Sequence, residues 1–130
     1  MDKETLRSIL REILEEELGQ CPIKLINVPQ VTVSETDRLD TGDPKHQVYT
    51  HDLLTLEESP RLGCGVMEMK RTTFPWTLQY DEIDYVISGS LTVYYGEHAV
   101  TAGPGEVIFI PKGSSILFSV PDPRIHIQSF

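Results

Sequence analysis

The stretch Gly103-Pro104-Gly105-Glu106-Val107-Ile108-Phe109-Ile110-Pro111-Lys112-Gly113-Ser114-Ser115-Ile116 decides the fold. Its skeleton is Gly105, five residues, Pro111, one residue and Gly113. A short β-branched and aromatic run sits between two turn signals. The glycines serve tight turns, and Pro111 ends a strand where no ladder donor is needed. Upstream, Glu82 is followed by six residues and then Gly89. Strand alternation puts Glu82, Asp84 and Val86 on one face of that run, and Ile83, Tyr85 and Ile87 on the other.

Outward from these two runs, the chain after Pro22 is a series of short apolar segments punctuated by Pro, Gly and Asp. Candidate strands are 23–28, 31–33, 48–50, 53–56, 65–71, 82–87, 91–95, 106–110, 115–120 and 124–128. Many short strands at near-regular spacing, with no second helical pattern, point to an all-β closed barrel or sandwich. The segment 35–45 is charged and turn-rich and reads as a structured loop. Met67 and Met69 alternate with Glu68 and Lys70, core facing in and a solvated face out. Before Pro22 the texture is helical. Leu6, Ile9, Leu10, Ile13, Leu14 and Leu18 form one stripe along a helix of about five turns. Asp2 serves as N-cap, and Gly19 followed by Pro22 marks the stop. The chain thus divides into residues 1–21, an amphipathic helix with a short linker, and residues 22–130, the barrel.

The chain has 130 residues, a mass of 14.7 kDa and 39% apolar residues, enough for one hydrophobic core. Its 11 Lys and Arg stand against 20 Asp and Glu, giving a net charge of −9. Such a balance repels phosphate backbones and anionic lipid, which argues against nucleic-acid and membrane partners. Cys21 and Cys64 form no C-x-x-C pair, so neither a disulfide scaffold nor a cysteine-built zinc site is expected. The acidic start lacks the basic-then-apolar layout of a secretion signal.

The two skeletons, in this order, resemble the paired motifs of the cupin superfamily. That resemblance implies a double-stranded β-helix or jelly-roll barrel, here with one N-terminal amphipathic helix. Metal-binding cupins carry His-x-His before the first motif's glutamate and another His three residues after the second motif's last glycine. Here those positions hold Trp76, Leu78 and Ile116. A transition metal wants three or four nitrogen, oxygen or sulfur ligands in one place, and Glu82 alone does not supply them. No metal is expected through the usual cupin histidines. His46, His51, His98 and His126 lie outside the motif and share no ligand spacing.

Three blocks carry a closer likeness: Phe74 through Gly89, Asp37 through Gly42, and Ile108 through Ser115. Together they resemble the ethanolamine-utilisation protein Q family, over residues 23 to the C-terminus. The resemblance implies a cupin without the usual metal ligands, commonly a homodimer, encoded with the ethanolamine-degrading microcompartment of the bacterial cytoplasm. It also implies an acetate kinase role, with acetyl phosphate and ADP in exchange for acetate and ATP, and Mg-ATP or Mg-ADP as cosubstrate. A part in assembling the compartment is the non-catalytic alternative. Longer members carry an additional N-terminal region. In that setting residues 1–20 resemble an encapsulation peptide docking on shell or cargo proteins. Amphipathic periodicity alone equally allows the stripe to cover its own barrel or a second copy.

Glu82 and Asp84, two residues apart on one strand face, lie roughly 7 Å from each other. In an apolar barrel they repel, which raises the pKa of at least one. They are the candidates for acid–base work or for holding Mg²⁺ with a phosphorylated ligand; the structural alternative is that each only accepts hydrogen bonds that fix the fold. Trp76, Tyr80 and Tyr95 are candidate walls of a small-molecule pocket, whereas Phe74 reads as core. Phosphoryl transfer needs cations, for which Lys112, Arg38, Lys70 and Arg71 are available, although in the block Asp37 through Gly42 a local Arg–Asp salt bridge is the commoner meaning of Arg38. There is no P-loop.

Overall fold

The computed structural model describes residues 1–18, 21–121 and 125–129, with backbone only at 17, 18 and 125–129. Helix α1 (Lys3–Leu18) starts where the N-cap signal placed it: the Asp2 carboxylate accepts the Thr5 N–H at 2.7 Å. The expected stop at Gly19 lies outside the described residues. No helix among the described residues is long and apolar enough to cross a membrane.

Nine strands are described: β1 (Gln47–Asp52), β2 (Gly65–Lys70), β3 (Thr72–Thr77), β4 (Glu82–Ser88), β5 (Leu91–Tyr95), β6 (His98–Ala102), β7 (Val107–Ile110), β8 (Ser115–Val120) and β9 (Ile125–Ser129). They form two antiparallel sheets, of order β1-β2-β9-β4-β7 and β3-β8-β5-β6. The motif glycines earn their places at the turns, since Gly105 and Gly113 both adopt φ near +85° (84° and 86°). The turn at Gly113 is pinned to the preceding crossover by Gly113 N–H donating to Leu78 O at 2.7 Å.

The inner faces carry the core. Val48, Met69, Val86 and Ile108 from one sheet meet Phe74, Leu91, Phe118 and Val120 from the other, all nearly devoid of exposure. Phe74 is core, as read. It stacks tilted on Phe118 at 5.5 Å and receives the edge of Trp76 at 6.0 Å. Met67 and Met69 point inward, while Glu68 and Lys70 stay partly exposed.

Three expected strands are not strands. Residues 23–28 and 31–33 run irregularly around a 3-10 turn at Val28–Gln30, and 53–56 is a turn. Val28, Val31 and Val33 are half-buried along a cleft on the outer side of the five-stranded sheet, which Val66 also lines. Two strands had no counterpart in the pattern, β3 and β6. β3 contains Pro75, which lacks a ladder donor. It is tolerated because β3 is the edge of its sheet, bonded only to β8. Between β2 and β3 the chain changes sheet at Arg71, whose φ is 45°. Thr72 secures that corner, accepting the Gln47 N–H at 2.9 Å and donating to Lys70 O at 2.7 Å. The last strand begins at Ile125; the expected start at Arg124 lies outside the described residues.

Candidate functional site

One row of the five-stranded sheet is polar where its neighbours are apolar. The register sets Asp52 across from Gly65, Gly65 across from Ser129, Ser129 across from Asp84, and Asp84 across from Ile108. Directly opposed residues share a face, so Asp52 and Asp84 address the lumen in one row. Glu82, across from Ile110, begins the next. Gly65 contributes no side chain between them. A Cβ built there would stand 3.5 Å from an Asp52 carboxylate oxygen, which places that carboxylate over the inner face.

Glu82 and Asp84 are buried, at 5% and 1% exposure, on one face as alternation has it, and that face is the inner one, as the cupin resemblance implies. Their end of the barrel is closed by two loops that bond to each other. Leu78 N–H donates to Ser114 O at 3.0 Å, and Lys112 N–H donates to the Asp81 carboxylate at 2.8 Å. Lys112 therefore stands at the same end as Glu82. Tyr80 lies in the other loop, more than half exposed. Its phenol is pushed above the ordinary tyrosine range, chiefly by desolvation and then by the negative charge of Glu82, Asp52 and Asp84. Tyr80 is thus close enough to Glu82, Asp52 and Asp84 to feel their negative charge. Trp76 is partly buried against the core and paired with Ile116 across the other sheet. Tyr95 follows in the inward-facing series Leu91, Val93, Tyr95, level with that row, and is largely exposed.

Arg38 does not join them. A single antiparallel bridge ties it to Tyr49 on β1. Its guanidinium donates to the Glu35 carboxylate at 3.1 Å, to the Tyr49 hydroxyl at 2.9 Å and to the carbonyls of Pro44 and His46. Tyr49 in turn donates to Glu35 at 3.0 Å, and the guanidinium lies 5.2 Å from the Tyr49 ring centroid. The arginine is a clamp on the loop, but its salt-bridge partner is Glu35 and not, as expected, a neighbouring aspartate. Lys70 also faces outward, across from Gln47. Of the cations considered for phosphoryl transfer, Lys112 alone stands at the acidic end.

Asp52 is the residue that the sequence pattern missed. The alternation Val48, Thr50, Asp52 carried the signal, had the strand beginning at Val48 been extended by two residues. Among the described residues no three His, Cys, Asp or Glu side chains group as a metal site would need. His46 instead bonds Thr41 at 2.6 Å, and His51 bonds Asp37 at 3.0 Å.

Residues 1–128 match the family model described as ethanolamine utilisation protein EutQ. The chain belongs to the EutQ family. It is 54% identical to the acetate kinase EutQ of Clostridioides difficile strain 630, over 94% of this chain and 86% of that protein. It is 44% identical to the acetate kinase EutQ of Salmonella typhimurium, over 79% of this chain but 43% of the relative, so it matches less than half of that longer protein. The solved structure of the Clostridium difficile EutQ protein superposes with a TM-score of 0.80 at 62% identity, covering 83% of this chain and 78% of the other. Cupin proteins outside the family share the fold alone, at TM-score 0.56 and 13–15% identity. The all-β cupin fold with one N-terminal helix is thereby shown for this EutQ family member.

Proposed function

We propose that this EutQ family protein is an acetate kinase of ethanolamine utilisation, exchanging acetyl phosphate and ADP for acetate and ATP at the acidic end of the barrel. The observation that carries the reading is the placement of Glu82 and Asp84, buried on the inner face beneath Tyr80 and beside the loop of Lys112. The relative named for this activity aligns over nearly the whole chain, which supports it. In the reaction an ADP phosphate oxygen attacks the phosphorus of acetyl phosphate, the acyl–phosphate P–O bond breaks, and acetate leaves. Mg²⁺ brought by the nucleotide would be shared with Glu82 and Asp84; one or two carboxylates plus phosphate oxygens are its ordinary ligands, and it would neutralise charge on the transferring group. Tyr80 supplies a hydrogen-bond donor, and Lys112 the cation that phosphate needs next to so many acids. Trp76 and Tyr95 flank the acyl end.

The test is ATP formation from acetyl phosphate and ADP. Glu82→Gln and Asp84→Asn are expected to lower kcat at least about a hundredfold while the fold is kept. A wild type silent at every Mg²⁺ concentration overturns the reading. A second reading is favoured by one observation: α1 is exposed along its described side chains. The protein then acts as an assembly element in or at the cytoplasmic microcompartment, α1 being its docking surface. Charging the stripe with Leu10→Asp should release the protein from compartment fractions, and unchanged retention overturns it.

A further inference from the structure

His98 opens β6, whose register sets it directly across from Tyr95. Directly opposed residues share a face, and Tyr95 follows Leu91 and Val93 along the inner face of its strand. The far end of β6 agrees: Ala102, two alternations on from His98, is buried. His98 therefore belongs to the inner face and stands at its rim, since β6 is the edge of its sheet and the residue is exposed.

The connections fix which end of the barrel this is. Tyr94 pairs with Leu117, which brings Tyr95 level with Ile116, and Ile116 pairs with Trp76. The four-stranded sheet thus carries one inner row, Trp76, Ile116, Tyr95 and His98, about 14 Å across at the ordinary strand spacing. A turn in which Ser114 N–H donates to Pro111 O at 3.2 Å joins the start of β8, beside that row, to the end of β7. There Ile110 pairs with Glu82. The row and the two buried acids consequently occupy the same end of the barrel, on facing sheets, and Lys112 lies in the turn between them. A histidine outside both sequence motifs is brought by register alone to the candidate site.

We propose that His98 is a nucleotide-binding residue, donating an imidazole N–H to the phosphates of ADP at the rim of the acidic end. This rests on the acetate kinase reading and names the substrate that the rim holds. Mg²⁺ offsets charge on the transferring phosphoryl group, but the rest of a nucleoside diphosphate still needs protein donors when it lies beside buried carboxylates. Lys112 supplies one. His98 supplies another, since an imidazole keeps at least one N–H in either protonation state. Its part is to donate a hydrogen bond rather than to move a proton: acetate departs as a stable carboxylate and ADP attacks through an oxygen already ionised, so neither step calls for an acid or a base. The rim position selects the substrate it serves. The reacting phosphoryl group sits inward, against Glu82 and Asp84, and the longer nucleotide is the substrate that extends from there to the rim.

The test measures ADP binding to the full chain by calorimetry in the presence of Mg²⁺, together with KM for each substrate. His98→Ala and His98→Phe are expected to weaken ADP binding about tenfold, as the loss of one hydrogen bond to a charged group does. His98→Arg, which returns a donor, should restore binding to within about threefold. KM for ADP should rise in step with the lost affinity, while KM for acetyl phosphate stays within about twofold of the wild type. The position is exposed on an edge strand, so the fold is retained in each variant. Equal ADP affinity in the wild type and all variants overturns the proposal and leaves the kinase reading standing. Affinity lost in His98→Ala but kept in His98→Phe also overturns it, since the ring would then act by stacking. A wild type that takes up no ADP overturns both. ADP binding that depends on His98 in a protein without ATP formation supports the proposal while removing the kinase reading.

Discussion

The two faces of β4 invert the usual arrangement of a barrel strand. Inward, Glu82 and Asp84 are buried; outward, Ile83, Tyr85 and Ile87 meet water. An antiparallel sheet with one solvated face ordinarily carries apolar side chains in and polar ones out. At the other end of the same barrel the ordinary rule holds, with Val48 across from Met69 inside. The inversion is local to one end, and it follows the row in which Gly65 replaces a side chain. The acidic end is thus where carboxylates take inward positions that apolar side chains fill elsewhere in the barrel. On the outer face the same strand and β7 leave Ile83, Tyr85, Ile87, Val107 and Phe109 exposed.

The sharpest way to break this contrast lies on β7, where Ile108 points in and Phe109 out. Ile108→Ala should destabilise by about 2–5 kcal/mol through lost transfer energy and a residual cavity. Phe109→Ala should change monomer stability by less than about 0.5 kcal/mol, as exposed positions do. Denaturant unfolding at concentrations low enough to dissociate any dimer checks both. Equal losses would mean that the outer patch is already packed within one chain.

A smaller effect separates buried polar groups that hold the fold from those assigned to chemistry. Thr72 is buried with its hydroxyl used twice, at the corner where the chain changes sheet. Thr72→Val should therefore destabilise by about 1–3 kcal/mol by stranding the Gln47 N–H and the Lys70 carbonyl. ATP formation per folded molecule should stay unchanged. A loss of turnover in a folded Thr72→Val protein would tie this corner to the site after all.

The legible parts of the molecule are those whose physics is local. Turn glycines, a strand-ending proline and strict alternation suffice to place β4 and β7 and to set Glu82 and Asp84 on one face, while the inward sense of that face is what the cupin resemblance implies. Helix periodicity and one capping aspartate did the same for α1. What stayed hidden depends on neighbours distant in sequence. Pro75 reads as a strand breaker until β3 is known to be an edge. Val31 and Val33 alternate like a strand but, with Val28, only half-bury themselves along a cleft that Val66 also lines. Asp52 acquires meaning only through a register that runs across β2 and β9 to Asp84. Arg38 is committed to Glu35, to two backbone carbonyls and to Tyr49, and the last three are partners that no spacing rule connects.

The smallest effect expected is the acid response of the outer clamp, set against the acidic inner row. Asp37 is held below the ordinary carboxylate range first by the hydrogen bond from His51 and then by the Ser34 N–H. Glu35 is held low by Arg38 first and then by Tyr49. A carboxylate with a depressed folded-state pKa binds fewer protons folded than unfolded in the interval between the two values. Its contribution is therefore complete above about pH 4, where the unfolded carboxylate ionises, and is lost as pH falls through the lower folded values. Amide exchange in residues 34–38 should thus stay as protected at pH 5 as at pH 7, and loosen below pH 4 ahead of the β4 core. Asp37→Asn should flatten that response by removing the proton it depends on. Loosening that begins near pH 6, well above the range in which these carboxylates take up a proton, would remove them as its cause.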